Sequence, residues 1–168
     1  MRERNDTVPS PPSRWGLAVW LATGFGVGFV PVAPGTFGSA WGLLAAWWLS
    51  STAWWWQVLA IVLLAAAGIP LCSLAVRRLG RGHDPGCIVW DEIASVPITF
   101  FLVPCDRPAI WVVGFVLHRL FDISKLPPAR QLERLPGGLG VMADDWAAGL
   151  YSSLVLHLLM WLNPAGLF

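Results

Sequence analysis

The run Trp54-Trp-Trp-Gln-Val-Leu-Ala-Ile-Val-Leu-Leu-Ala-Ala-Ala-Gly-Ile-Pro-Leu-Cys-Ser-Leu-Ala-Val76 contains no acidic or basic side chain. It exceeds the roughly 20 apolar residues that a helix needs to cross a bilayer, so it predicts a membrane helix. Working outward, further apolar segments lie at 36–53, 88–104, 109–121 and 144–162, two of them short. The stretch 17–30 is also apolar, but Gly24, Gly26 and Gly28, followed by Pro31, Pro34 and Gly35, interrupt it. It is expected to be re-entrant, interfacial or a broken helix. The expected fold is therefore all-α, a polytopic membrane protein with about 4–6 membrane-associated helices.

Composition agrees. The chain is 56% hydrophobic and 12% charged, with a mean hydropathy of +0.61, beyond the usual globular range. With 168 residues it has room for one domain, expected over 15–168, after a polar, Pro- and Ser-rich flexible tail at 1–14. Apolar material continues through several segments, which argues against a cleaved signal peptide. A net charge of +1 gives no reason to expect nucleic acid. Cys72, Cys87 and Cys105 are odd in number and lack metal-type spacing, implying neither a disulfide framework nor a zinc site.

Acidic residues are absent from Thr7 to His83, whereas eight of the ten fall between Asp84 and Asp145. Asp91-Glu92 and Asp144-Asp145 are adjacent carboxylate pairs at the edges of apolar segments, where an uncompensated charge is costly and usually functional. A divalent cation is the natural compensating partner. Basic residues at Arg2, Arg4 and Arg14, at Arg77, Arg78 and Arg81, and at Arg119, Lys125, Arg130 and Arg134 mark the cytoplasmic side. The Ser50-Ser51-Thr52 turn, flanked by Trp47, Trp48, Trp54, Trp55 and Trp56, then belongs to the opposite side. On this topology Asp84, Asp91, Glu92, Asp122, Asp144 and Asp145 all gather at the cytoplasmic face, and Asp106, beside Arg107, lies outside.

Local patterns add detail. Gly24-Phe-Gly-Val-Gly28 lacks the spacing of a dinucleotide fingerprint and reads as close helix packing. Gly38 and Gly42 form a GxxxG-type pair that lets helix backbones approach. Pro34-Gly35-Thr36 reads as a turn with Thr36 as N-cap, whose free N–H groups could hold a phosphate or simply start a helix. Asp122 and Lys125 share a helix face, as a metal and phosphate site or as a surface ion pair. Gly137-Gly-Leu-Gly140 suits a hinge, an anion nest or a plain loop. Of His83, His118 and His157, only His83 lies near the acids, next to Asp84, and none has a ligand-spaced partner.

Four stretches carry a resemblance: Pro31-Val-Ala-Pro-Gly-Thr-Phe-Gly-Ser39, Asp84-Pro-Gly-Cys-Ile-Val-Trp-Asp-Glu92, Phe121-Asp-Ile-Ser-Lys125 and Gly137-Gly-Leu-Gly-Val-Met-Ala-Asp-Asp145. Together, in this order over about 20–160, they resemble the phosphatidylglycerophosphatase A family. The chain departs from the family pattern at Leu126, where a proline commonly follows the lysine, and at Gly86-Cys87. The resemblance implies Mg2+-dependent hydrolysis of phosphatidylglycerophosphate to phosphatidylglycerol and phosphate, in phospholipid biosynthesis, at the bacterial inner membrane with the site facing the cytoplasm. On that reading Asp91, Glu92, Asp144 and Asp145 hold the metal. Thr36, Lys125 and Arg119 bind the phosphate, and Asp84 or Asp122 acts as base, or a carboxylate attacks phosphorus. The motifs of haloacid-dehalogenase and histidine-nucleophile lipid phosphatases are absent from the sequence. The competing readings are a small cation transporter, with acids at mid-membrane and an inverted repeat, and a non-catalytic lipid-binding protein. The Trp-rich apolar surface could serve lipid contact or self-association.

Overall fold

The computed structural model describes residues 16–80, 85–104 and 106–162; the expected tail, Arg81, His83, Asp84 and Cys105 lie outside them. The described residues form helices and no strands: α1 (Leu17–Ala22), a 3-10 turn (Val27–Phe29), α2 (Pro34–Ser50), α3 (Trp54–Leu79), α4 (Trp90–Thr99), α5 (Pro108–Ser124), α6 (Ala129–Leu132) and α7 (Gly138–Leu162). The all-α expectation holds.

The sequence segments shift in instructive ways. At 10 residues, α4 rises only about 15 Å, half of a bilayer's hydrocarbon core, so 88–104 is not a spanning helix. Pro97 lies near its end, and the chain turns at Phe100. In contrast, α7 begins at Gly138, six residues before Asp144, and runs for 25 residues. The glycines of 137–140 thus form no loop. Gly137 is left-handed, with φ +62°, while Gly138 and Gly140 lie within the helix, where Ser73 Oγ accepts the Gly138 N–H at 2.7 Å. Of the segment 17–30, only Leu17–Ala22 is α-helical. Gly24, Phe25 and Gly26 all have positive φ and make a turn, while Gly24 and Gly28 leave no room for a Cβ against Val89 and the Cys87 carbonyl, so the run serves both chain reversal and close packing.

Short α4 is the hub. It packs against α2, α3 and α7, while α5 lies on α7 and also touches α2 and α4. Small residues permit this closeness. A Cβ at Gly38 would stand 2.6 Å from Val89 Cβ, and one at Gly42 2.8 Å from Val96 Cβ, which bears out close backbone approach at this pair. Opposite, a Cβ at Gly149 of α7 would stand 2.8 Å from the Ser95 carbonyl. Trp90 donates to the Leu64 carbonyl at 3.2 Å, tying α4 to α3.

Two apolar clusters fill the interior. One gathers Val19, Cys72, Ile88 and Met142; the other holds Val96, Phe100, Trp111 and Leu156, with Phe100 and Trp111 rings stacked at 4.3 Å. The outside is apolar too. Leu44, Val62, Leu63, Val112, Val116, Leu154, Leu158 and Trp161 are all exposed, as are the five tryptophans beside the Ser51 turn. Among the described residues one helix, α3, is long and apolar enough to cross a membrane, and only 17% of its most hydrophobic window is buried.

Candidate active site

Asp91 and Glu92 occupy the first turn of α4, where the helix dipole favours negative charge. On α7, Asp144 and Asp145 are consecutive, so their side chains diverge by about 100° around the axis. This divergence gives them different partners. Ligand oxygens of Asp91, Glu92 and Asp145 lie within 4.8 Å of one another; Asp91 and Asp145 are buried, and Glu92 is largely so, with its Oε2 shielded from solvent. Asp144 instead faces Lys125, with Nζ 3.0 Å from its carboxylate. Asp122, near the end of α5, lies beside both Asp145 and Glu92.

Two cations face these acids. Arg119 Nη1 donates to Asp122 at 2.6 Å and to Ser39 Oγ at 3.1 Å, and stands 3.8 Å from Glu92 Oε1. The Ser39 hydroxyl donates in turn to the Gly35 carbonyl at 2.8 Å, linking the guanidinium to the first turn of α2. Lys125 bridges Asp144 and Glu133, the latter at 3.1 Å. Partial burial opposes its charge, yet hydrogen bonds and proximity to Asp144 and Glu133 outweigh that and hold the ammonium above the usual lysine range. Lys125 also sits in the left-handed region at φ +44°, ending α5. Such strain in a non-glycine residue is often held at functional positions.

The expected Asp122–Lys125 pair is therefore not formed. Lys125 has left the helix that would align the two, and Asp122 turns to Arg119. Nor is Thr36 the N-cap of α2. Ala33 takes that position in a left-handed conformation, Pro34 opens the helix, and the Thr36 N–H is bonded to the Ala33 carbonyl at 2.9 Å. The residue of this turn nearest the acids is Gly35, which leaves no room for a Cβ against Glu92 Oε1 and Arg119. Asp84 lies outside the described residues.

Charge and motif spacing give Ser39 and Glu133 no role of their own, and give Gly35 only that of a turn residue. Residues 35, 39 and 42 recur at i, i+4 and i+7, a stripe of small residues that marks the α2 face turned to α4. His118 is fully buried, with its ring nitrogens 3.3 Å from Ser95 Oγ and 3.0 Å from Thr99 Oγ1. It locks α5 to α4 one residue from Arg119.

The donor set suits a hard divalent cation. Asp91 Oδ1, Glu92 Oε2 and Asp145 Oδ2 are buried without a hydrogen-bond partner, as is Arg119 Nε. Buried carboxylate oxygens are normally satisfied, and a cluster of three that are not is electrostatically costly unless a cation joins them. Oxygen-only ligands of this kind fit Mg2+ or Ca2+ rather than a thiolate-seeking metal.

Residues 20–160 match the model of the family described as phosphatidylglycerophosphatase A. The chain belongs to that family. It is 37% identical over 149 residues to phosphatidylglycerophosphatase A of Escherichia coli K12, covering 88% of this chain and 86% of that protein. The Haemophilus influenzae protein of the same name is 36% identical over 143 residues, 84% of this chain and 87% of the relative. A Bacteroides thetaiotaomicron protein named putative phosphatidylinositol-3-phosphatase is 38% identical over 153 residues, 86% of this chain and 94% of its own. No solved structure gives a significant match. The matched span contains every described residue of the acidic cluster.

Proposed function

We propose that this protein is a Mg2+-dependent lipid phosphatase that hydrolyses phosphatidylglycerophosphate to phosphatidylglycerol and inorganic phosphate in bacterial phospholipid biosynthesis. The observation that carries this reading is the trio Asp91, Glu92 and Asp145, three buried carboxylates with unpartnered oxygens beside an arginine whose Nε is also unpartnered. Family membership supplies the substrate class.

Asp91, Glu92 and Asp145 would hold the metal, whose charge when bound polarises the phosphomonoester and offsets charge on the departing alkoxide. Arg119, whose Nη1 is held by Asp122 and Ser39, would offer its remaining guanidinium donors to a phosphate oxygen. Lys125, kept protonated by Asp144 and Glu133, adds positive charge at the mouth of the cluster. Asp122 is the described carboxylate best placed to accept a proton from water or to attack phosphorus, since it borders Asp145 and Glu92. Gly35 lets the α2 N-terminus approach the same space, where its dipole favours an anion.

Surface chemistry supports a membrane setting. An exposed, apolar α3 and the outward leucines, valines and tryptophans suit a multi-pass protein in the inner membrane. The acids collect at the end of the bundle away from the Ser51 turn, which fits a headgroup at the cytoplasmic surface better than an ion path through mid-membrane. The relative named as a phosphatidylinositol-3-phosphatase makes that lipid the control substrate. Purified protein should release phosphate from phosphatidylglycerophosphate in preference to phosphatidylinositol 3-phosphate; the reverse preference would overturn the substrate assignment.

A further inference from the structure

A polar groove of about 440 Å³ lies between the turn leading into α2 and the segment leading into α4. One wall runs from Gly28 to Pro31 and includes Pro34; the other is Pro85, Gly86 and Cys87. The walls are fixed to each other. Gly28 leaves no room for a Cβ against the Cys87 carbonyl, and behind it the Val89 N–H donates to the Ala22 carbonyl at 2.9 Å. The Ile88 N–H closes the second wall onto the Pro85 carbonyl at 2.8 Å. Pro34 lines the groove, and the next residue, Gly35, lies against Glu92 and Arg119.

Among the described residues no charged side chain lines this groove. The polar surface of its described lining is largely backbone, which offers hydrogen-bond donors and acceptors to a group bearing hydroxyls. In the lipid assigned above, the group attached to the terminal phosphate is a glycerol linker with a free hydroxyl. With the phosphate at Arg119 and the carboxylates, that linker is the part of the substrate that meets Pro34. We propose that the groove between Gly28–Pro34 and Pro85–Cys87 binds the hydroxylated linker, and that Gly86 sets the size of the group admitted. This rests on the phosphatase reading.

Gly86 makes the inference testable. It lines the groove, is exposed, has a backbone that does not require a glycine, and a Cβ there meets nothing within 4 Å, so a side chain is added at the groove's edge without disturbing the packing. The experiment measures phosphatidylglycerophosphate hydrolysis by the full chain in detergent with Mg2+, and its competitive inhibition by glycerol 3-phosphate and by inorganic phosphate. Gly86→Phe and Gly86→Leu are compared with Gly86→Ala, with thermal melting as the check on folding. The two bulky variants should raise KM and the inhibition constant of glycerol 3-phosphate about tenfold, the effect of losing a hydrogen bond or two, and leave that of inorganic phosphate unchanged. Unchanged glycerol 3-phosphate inhibition, or an equal rise for both inhibitors, would overturn the assignment. A folded wild type that releases no phosphate would instead sink the phosphatase reading beneath it.

Discussion

Arg119 and Lys125 are both cations among carboxylates, yet their surroundings assign them different tasks. Arg119 contacts Ser39, Asp122 and Glu92 through one nitrogen and keeps Nε unused, a geometry that a lysine cannot reproduce. Arg119→Lys should therefore lower kcat/KM on the order of 100-fold while the protein melts near the wild-type temperature, as steady-state kinetics and thermal scans would show. Lys125 has its pKa raised, so its folded-state charge contributes stability that is complete below the unfolded lysine value and lost only as pH rises through the still higher folded value. Between pH 6 and 9 its charge is constant. Lys125→Arg should accordingly leave the shape of the pH–rate profile in that range unchanged. Lys125→Met should destabilise the protein by leaving Asp144 buried beside no ammonium, and adding Asp144→Asn should recover part of that loss, measured as melting temperatures of the single and double variants.

Helices meet in this protein through residues too small to keep them apart. Gly42→Val places carbon against both Val96 and the Glu92 carbonyl, so it should cost about 1–3 kcal/mol and displace Glu92, lowering activity as well as stability. His118→Ala removes the link between α5 and α4 and leaves Ser95 and Thr99 hydroxyls short of a partner; a loss of about 1–3 kcal/mol in chemical unfolding is expected. The sequence foretold much at this scale. Adjacent carboxylates flanked by apolar residues were legible because burying charge is costly wherever the chain folds, and Gly38 with Gly42 was legible from spacing. The length of α4 was not, because hydropathy cannot tell a lipid-facing segment from one enclosed by its neighbours. Nor was the split between Asp144 and Asp145. Two consecutive acids look equivalent in a string, and only the rotation per residue of α7 sends one to Lys125 and the other to Asp91. The Asp122–Lys125 pairing failed for a similar reason, since the left-handed turn at Lys125 has no glycine or asparagine to announce it.

Taken whole, the molecule is a bundle with an apolar exterior, a row of tryptophans at one end and five interior carboxylates near the other. That polarity sets its expected orientation. In vesicles of known sidedness, with native cysteines replaced, Ser51→Cys should react with an impermeant maleimide from the periplasmic side and Arg77→Cys, exposed in the last turn of α3, from the cytoplasmic side; the opposite pattern would contradict the proposed cytoplasmic site. The central claim, that three buried carboxylates gather a cation for phosphate ester hydrolysis, is tested most directly by phosphate release from phosphatidylglycerophosphate with Mg2+ and with EDTA, in wild type, Asp91→Asn and Asp145→Asn. Release that requires Mg2+ and falls on the order of 100- to 1,000-fold in both variants is the expected result. Undiminished release in EDTA, or full activity in either folded variant, would contradict it.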